Sequence, residues 1–313
     1  MPQFSAVICT YNRYDVLPRA IESLQKQTLP SSEFDIWVID NSPATPERQA
    51  SSDRWGKTAG LTYATVDRAG LSNARNLAAQ HAQGEFIFYL DDDAVAAPAL
   101  LAEYKKAFEQ LGSSCAVIGG KVVPDYAIPK PVWLDDRLLT YLSLCDFGDT
   151  TKLLTGSDEP VGANIAFRKS ALVQSGGFNP ALGRTGLEVH SLLSGEESDC
   201  LRRIKSLSQN GVGHNVGYAP LAQATHSIPA SRLTHAWFRK RSAWQATSDQ
   251  MLYTLNDNAV GVFKNAIAHY IKQVPPEHAA TMGFNWDTQD PELFFRQINA
   301  IGMFTRLMLA HGG

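Results

Sequence analysis

The chain has 313 residues, a formal net charge of -3 and 19% charged residues. This composition excludes a protein built mainly to coat nucleic acid, because such domains are usually strongly basic. The four cysteines lie far apart, so they form no CxxC motif, and they are too few for a disulfide scaffold. The length allows one large domain, or one domain with an appendage.

The N-terminal residues lack the basic region and the long apolar run of a signal peptide. The sequence also has no stretch that approaches the roughly 20 apolar residues needed to span a bilayer. We therefore expect a cytoplasmic protein. A peripheral position at the inner face of a membrane stays open.

The first part of the chain alternates apolar strands with amphipathic helices. Strands are predicted over residues 4–9, 34–39, 61–66 and 85–90, and helices over residues 16–27 and 72–83. This order favours a mostly parallel sheet, and such sheets bind ligands beyond the carboxyl ends of their strands. We expect the polar segments 10–13, 40–42 and 91–93 to meet at one edge.

Later elements are predicted from the same patterns. Prolines indicate a loop or an insertion from about residue 124. Strands are then predicted over residues 163–167 and 217–225, and helices over residues 169–174 and 196–209.

The C-terminal part has a different composition. Two apolar helical stripes run over residues 262–274 and 293–308, and they fit packing in a core, with a membrane-surface or homodimer contact as the alternative. The segment 232–244 interleaves basic and aromatic residues. It fits either a helix with a solvated basic face or a flap over a bound diphosphate.

Asp91, Asp92 and Asp93 are adjacent carboxylates that follow an apolar strand. A divalent cation relieves their mutual repulsion, and carboxylate oxygens suit Mg²⁺ or Mn²⁺. Mg²⁺ is usually bound by one or two carboxylates together with substrate phosphates. The cluster therefore predicts a metal site for a nucleotide diphosphate, and a solvated acidic turn is the alternative.

Six segments, in this order, resemble the family 2 glycosyltransferases of the GT-A fold. They are Val7–Arg13, Val38–Ser42, Gly70–Asn76, Leu90–Asp93, Gly162–Arg168 and Gly195–Asp199. The resemblance implies an α/β nucleotide-diphospho-sugar transferase fold, with a mostly parallel central sheet flanked by helices. It implies a GT-A catalytic domain over residues 1–228, with a nucleotide-binding half to about residue 95 and an acceptor half after it. Residues 229–313 would form a C-terminal helical extension.

The resemblance also implies roles for matching residues. Seven would contact the nucleotide-sugar: Thr10, Tyr11, Arg13, Asp40, Arg75, Asp91 and Asp92. Asp40 would accept a hydrogen bond from a ring N–H of the base, which favours UDP or dTDP. Arg75 would face the base or the diphosphate, and Asp91 the ribose or the metal.

The resemblance also implies a metal site and a general base. Asp93 would ligate Mn²⁺ or Mg²⁺, and His226 would complete the metal shell or contact the diphosphate. Glu197 stands where the family has its catalytic aspartate, and it would be the general base. Glu196 and Asp199 are the alternatives, because they lie in the same predicted helical turn.

The implied reaction is inverting transfer of a sugar from a UDP-sugar or a dTDP-sugar to an acceptor hydroxyl in polysaccharide or glycoconjugate assembly. The acceptor would be a saccharide, a lipid-linked saccharide or another hydroxyl compound. A nucleotidyltransferase is one alternative, but the first strand is not followed by a glycine-rich phosphate loop. A non-catalytic nucleotide-sugar-binding module is the other, and the glutamate at position 197 is its only support.

Overall fold

The computed structural model describes residues 2–184, 192–207 and 214–311. Within them the chain forms two compact units. The first comprises residues 2–125, 143–184, 196–207 and 214–227, and the second comprises residues 126–142, 192–195 and 228–311. The predicted helix over residues 196–209 ends outside the described residues, since residues 208 and 209 are not among them.

One sheet organises the first unit. Its strands within the described residues are β1 (Phe4–Thr10), β2 (Phe34–Asp40), β3 (Leu61–Thr65), β4 (Phe86–Asp91), β5 (Ala94–Ala96), β6 (Cys115–Tyr126), β7 (Lys152–Leu153), β8 (Asn164–Arg168) and β9 (Asn215–Ile228). They lie in the order β3-β2-β1-β4-β8-β6-β9-β5, and β7 pairs with β9.

Helices flank this sheet and make up most of the second unit. The first unit has α1 (Leu17–Gln25), α2 (Pro46–Trp55), α3 (Leu71–His81), α4 (Leu100–Leu111), α5 (Lys169–Gln174) and α6 (Glu196–Ser206). The second has α7 (His235–Leu252), α8 (Asp257–Ile271) and α9 (Pro291–Ala310), with 3-10 turns at Asp136–Leu142, Ala230–Arg232 and Pro276–Thr281.

Strand β1 is buried on both faces because its side chains alternate between two hydrophobic clusters. Phe4, Ala6 and Ile8 pack in one cluster, and Val7 packs in the other. β1 lies parallel to β2 and β4, and β2 lies parallel to β3. The α/β class and the predicted parallel strands are therefore confirmed. The parallel order ends at β8, which runs antiparallel to β4.

Two regions differ from the sequence prediction. β6 continues through Pro124 to Tyr126, so the loop predicted from residue 124 begins later. Proline has no N–H to donate, and it is tolerated in a strand where the ladder needs no donor at that position. Helices α2 and α4 were not predicted. Thr45 caps α2 by accepting a hydrogen bond from the Arg48 N–H, and Pro46 occupies its first position.

The second unit buries part of each predicted apolar stripe. α9 lies against both α7 and α8, and Ile267, Tyr270 and Ala300 form a core between α8 and α9. The ring of Trp133 packs edge-on against the ring of Phe294. Core packing therefore holds for part of each stripe, and Val262, Ile271 and Met308 of the stripes are exposed. Among the described residues, no helix combines the length and apolarity that crossing a membrane requires.

Candidate active site

The end of β4 separates the three aspartates by alternation of side chains. Asp92 is buried, and it accepts hydrogen bonds from Thr10 Oγ1 and from Arg13 Nη1, both at 2.8 Å. Arg13 Nη2 donates to Asp93 Oδ2 at 2.7 Å. The exits of β1 and β4 therefore meet, as the parallel register requires. Asp92 faces these two partners, while Asp91 and Asp93 form a different group.

His226 is brought to Asp93 by strand pairing. Ala94 of β5 is opposite His226 of β9, and the Ser227 N–H donates to the Asp93 carbonyl at 3.0 Å. His226 Nε2 lies 3.0 Å from Asp93 Oδ1. One ligand atom each of Asp91, Asp93 and His226 lie within 4.8 Å of one another. Two carboxylates and an imidazole are a donor set that fits Mn²⁺ or Mg²⁺.

The carboxylates of the acidic cluster repel one another when ionised. Burial, followed by the neighbouring Asp93 carboxylate, raises the pKa of Asp91. Burial also raises the pKa of Asp92 to about 7, against the opposing effect of Arg13. A divalent cation would favour the ionised carboxylates and reverse these shifts. The cluster is therefore suited to a cation, and of the two partners expected for Asp91, ribose or metal, its position beside Asp93 and His226 favours the metal.

Arg75 of α3 is buried among carboxylates. Its Nη1 lies 2.9 Å from Glu197 Oε1 and 3.1 Å from Glu196 Oε1, and its Nη2 lies 3.9 Å from Asp91 Oδ1. The guanidinium also lies over the ring of Phe178. The expected contact of Arg75 with a base or a diphosphate stays a prediction, and in the structure its partners are carboxylates. Three carboxylates hold the side chain away from solvent, with only 3% of it exposed.

Glu196 and Glu197 begin α6 and differ in their surroundings. The Glu196 side chain is 4% exposed and the Glu197 side chain 19% exposed. Burial and the neighbouring Glu197 raise the pKa of Glu196 to about 8. For Glu197, burial opposes ionisation, but Arg75 and backbone hydrogen bonding outweigh it and lower the pKa. At neutral pH the pair therefore holds one proton on Glu196, and Glu197 is the ionised member.

The raised pKa of Glu196 predicts a pH-dependent stability. The folded protein keeps this proton up to about pH 8, whereas the unfolded chain loses it near 4.5. Stability from Glu196 is therefore fully present below pH 4.5 and is lost as the pH rises towards 8. We expect the free energy of unfolding of wild type, minus that of Glu196→Gln, to fall by up to about 1.4 kcal/mol per pH unit. Urea unfolding of both proteins between pH 5 and pH 8 measures this difference, and a constant difference would contradict it.

Asp199 serves a structural purpose. Arg202 Nη2 and Arg203 Nε each donate to its carboxylate at 2.8 Å. Arg203 also donates to the carbonyls of Ser175 and Gly177. These contacts direct Asp199 towards the segment after α5, so it is the weakest of the three candidates for a general base.

Gly162 lies against the Arg75–Glu197 pair. A Cβ at this position would lie 1.9 Å from Glu197 Oε1 and 2.5 Å from Arg75 Nη2. Only a residue without a side chain therefore allows the main chain to approach the pair this closely. The sequence predicted a family motif here, but not this contact.

Substitution of Gly162 tests that close approach. We expect Gly162→Ala to displace the Glu197 carboxylate and to lower kcat by at least about 100-fold, since small misplacements of reacting groups carry such losses. Gly261→Ala is the matched control, because a Cβ there meets no atom within 4 Å. Steady-state kinetics gives kcat of both variants, and circular dichroism checks that both are folded. Equal activity of the two would show that the pair tolerates displacement.

Asp40, the expected acceptor for the base, is fully buried at the end of β2. Its Oδ1 accepts from the Ser42 N–H and hydroxyl, and its Oδ2 accepts from Tyr14 at 3.1 Å and Tyr63 at 2.6 Å. A ring N–H would therefore have to replace one of these donors. No motif in the sequence indicated Tyr63, because β3 brings it to Asp40 from 23 residues away.

Tyr11 completes the expected nucleotide-contacting set. It lies half-buried just beyond β1, between Thr10 and Asn12. Asn12 has a positive φ of 52°, and its N–H donates to the Ser42 hydroxyl at 2.8 Å. This turn joins the exits of β1 and β2. The three polar exits predicted from the sequence therefore lie on one edge of the sheet.

Comparisons with known proteins agree with this geometry. The family model described as glycosyl transferase family 2 matches residues 5–174. The glucosyl-dolichyl phosphate glucuronosyltransferase of Haloferax volcanii is 28% identical over 311 residues, which cover 96% of this chain and 92% of that protein.

Solved structures show the same fold. A mannosyltransferase of Pyrobaculum calidifontis in complex with GDP-Man and Mn²⁺ has a TM-score of 0.56 and 18% identity, covering 100% of this chain and 76% of the other. Residues 1–349 of S. aureus TarS in complex with UDP give a TM-score of 0.53 and 16% identity, covering 100% and 92%.

These findings favour a sugar transferase over the nucleotidyltransferase and binding-module alternatives. The match to the family model covers more than half of the chain, and it includes the first five of the six motifs. The fold and the acidic cluster at the end of β4 are those expected from the motifs. The chain belongs to glycosyl transferase family 2, and it is a glycosyltransferase that uses a nucleotide-sugar donor.

Proposed function

We propose that this enzyme transfers a sugar from a UDP-sugar to a hydroxyl of a lipid-linked saccharide, with inversion at the anomeric carbon and release of UDP. The observation that carries the proposal is that one arginine joins the two halves of the site. Arg75 contacts the candidate base Glu197 at 2.9 Å and lies 3.9 Å from Asp91 of the metal-binding group. Donor phosphates and the acceptor hydroxyl would therefore lie on either side of this arginine.

The relatives support the finer points of this proposal. TarS was solved with UDP, which favours UDP among the donors expected from the sequence. The mannosyltransferase was solved with Mn²⁺, which favours Mn²⁺ over Mg²⁺. The Haloferax protein is named for a glucosyl-dolichyl phosphate substrate, and that favours a lipid-linked acceptor. A position at the membrane surface, a homodimer and the division at residue 228 stay predictions.

The mechanism follows from the residues present. Asp91, Asp93 and His226 would hold the divalent ion, which supplies positive charge to the leaving diphosphate. Glu197 accepts the proton of the attacking hydroxyl at a carboxylate oxygen, because it is the ionised and more exposed member of its pair. Arg75 fixes the orientation of that carboxylate. Direct attack opposite the leaving diphosphate inverts the anomeric carbon.

Thermal shift with UDP, dTDP and GDP, each with and without Mn²⁺, tests the donor site. We expect UDP to stabilise wild type only with Mn²⁺, by about 2.7 kcal/mol at 100 times its dissociation constant. Asp93→Ala should abolish this stabilisation. Asp53→Ala is the matched control, since Asp53 is an exposed carboxylate whose contact is with Gln49.

The outcomes separate the parts of the proposal. Stabilisation by GDP alone would overturn the choice of UDP and leave the transferase assignment intact. Stabilisation by no nucleotide would remove the donor site. Proton NMR of the product formed from a UDP-sugar and a lipid-linked saccharide reads the anomeric configuration, and retention would overturn the inverting route.

A further inference from the structure

Arg13 forms ion pairs with the last two of the three adjacent aspartates, Asp92 and Asp93. Its guanidinium bridges them, with Nη1 at 2.8 Å from Asp92 Oδ1 and Nη2 at 2.7 Å from Asp93 Oδ2. Asp93 is also one of the three residues placed to hold a metal ion, and its other oxygen lies 3.0 Å from His226 Nε2. In this arrangement both oxygens of Asp93 already have partners. A divalent ion therefore has to compete with them.

The Arg13 side chain borders solvent, whereas its backbone is held by hydrogen bonds. The Arg13 carbonyl accepts hydrogen bonds from the N–H groups of Val16 and Leu17, which fix the main chain at the start of α1. The side chain, by contrast, is 40% exposed, whereas those of Asp92 and Asp93 are 7% and 3% exposed. When the bridge opens, the guanidinium is therefore the part that moves.

We propose that Arg13 is the resident counter-cation of Asp92 and Asp93, and that it leaves Asp93 for a divalent ion when a diphosphate offers it new oxygens. The inference rests on the proposed function, because it assumes the same metal and diphosphate site. Guanidinium groups pair with phosphate oxygens as readily as with carboxylates. Arg13 thus makes the affinity for metal depend on bound nucleotide. By linkage, the affinity for nucleotide depends equally on bound metal.

This exchange keeps the charge of the acidic cluster balanced. Without ligand, Arg13 offsets one of the negative charges beside Asp93. With metal and diphosphate, the ion offsets the carboxylates, and Arg13 offsets part of the diphosphate charge. Metal alone would bring a divalent ion next to a guanidinium that still contacts the Asp92 carboxylate at 2.8 Å and has no phosphate to move to, so the ion should bind weakly.

Titration of Mn²⁺ into the full chain, with free Mn²⁺ read by electron paramagnetic resonance, tests this. Wild type, Arg13→Ala and Arg13→Gln are compared first without nucleotide and then with saturating UDP, dTDP or GDP. We expect both Arg13 variants to bind Mn²⁺ alone about tenfold more tightly than wild type, and the nucleotide to raise their Mn²⁺ affinity less. Arg19→Ala is the matched control: it removes an equal charge six residues further along the chain, in α1, where the partner is Asp125 at 3.5 Å.

The results distinguish two failures. If wild type fails to bind Mn²⁺ in the presence of any of the three diphosphates, and Asp93→Ala binds Mn²⁺ no less than wild type, the metal site and the proposed function fail. If wild type binds Mn²⁺ with a diphosphate, but the Arg13 variants bind Mn²⁺ alone no more tightly than wild type or Arg19→Ala, only the role of Arg13 is overturned. Arg13 would then serve to orient the carboxylates.

Discussion

Glu197→Gln should lower kcat by about 100- to 10,000-fold while leaving metal-dependent binding of the donor unchanged. The amide keeps the shape of the side chain but cannot take the proton of the attacking hydroxyl. Donor binding should persist because Asp91, Asp93 and His226 are untouched. Steady-state kinetics gives the loss in kcat, and thermal shift with UDP and Mn²⁺ gives donor binding.

Glu196→Gln is the matched control, since it makes the same change one residue earlier. Glu196 is protonated at neutral pH, with a pKa of about 8, so an amide resembles its native state. We expect this variant to lose less than about tenfold in kcat. The reverse order, with Glu196→Gln the more damaging, would move the general base to Glu196. Equal small losses in both would place it on neither residue.

Arg75→Ala should reduce the free energy of unfolding by about 3–5 kcal/mol, because it leaves buried carboxylates without their cation. The side chain is 3% exposed and contacts Glu196, Glu197 and Asp91. Urea unfolding measures the loss. Arg19→Ala, at a site where the side chain is 63% exposed, should change stability by no more than about 0.5 kcal/mol.

The sign of the pH effect makes this prediction sharper. Arg75 lowers the pKa of Glu197 in the folded protein, so this pair stabilises above the ordinary value of 4.5 and stops doing so as the pH falls through the lowered value. The deficit of Arg75→Ala should therefore be larger at pH 7 than at low pH. A deficit that does not change with pH would indicate lost packing against Phe178 rather than a lost charge pair.

Much of the fold could be predicted because apolar runs and their polar exits are local signals. The strands that became β1, β2 and β4 were predicted within a residue or two. Helix α2 was missed because its sequence is polar, with only Arg48, Ser51 and Trp55 buried. A stripe of apolar residues, the main signal for a helix, is therefore absent there.

The site was predicted as a set of residues but not as a set of contacts. The motifs indicated Asp91, Asp93 and His226, and the structure brings them together. They could not show that Arg75 turns to carboxylates from α6, because that contact spans 122 residues. The hydrogen bond from Tyr63 to Asp40 likewise depends on how β3 pairs with β2. Side-chain partners set by long-range pairing leave no pattern in a single sequence.

The pairing of β5 with β9 also has a consequence for how the protein folds. His226 and Asp93 are 133 residues apart and meet only when this antiparallel pair has formed. Closing so long a loop loses chain entropy before any contact between the strands can stabilise it, so such pairings are slow steps in folding. The candidate metal-binding group therefore does not exist in partly folded chains that lack β9. During refolding in the presence of UDP, Mn²⁺ binding should appear after most of the helical signal, and it would report the pairing of β9 with β5.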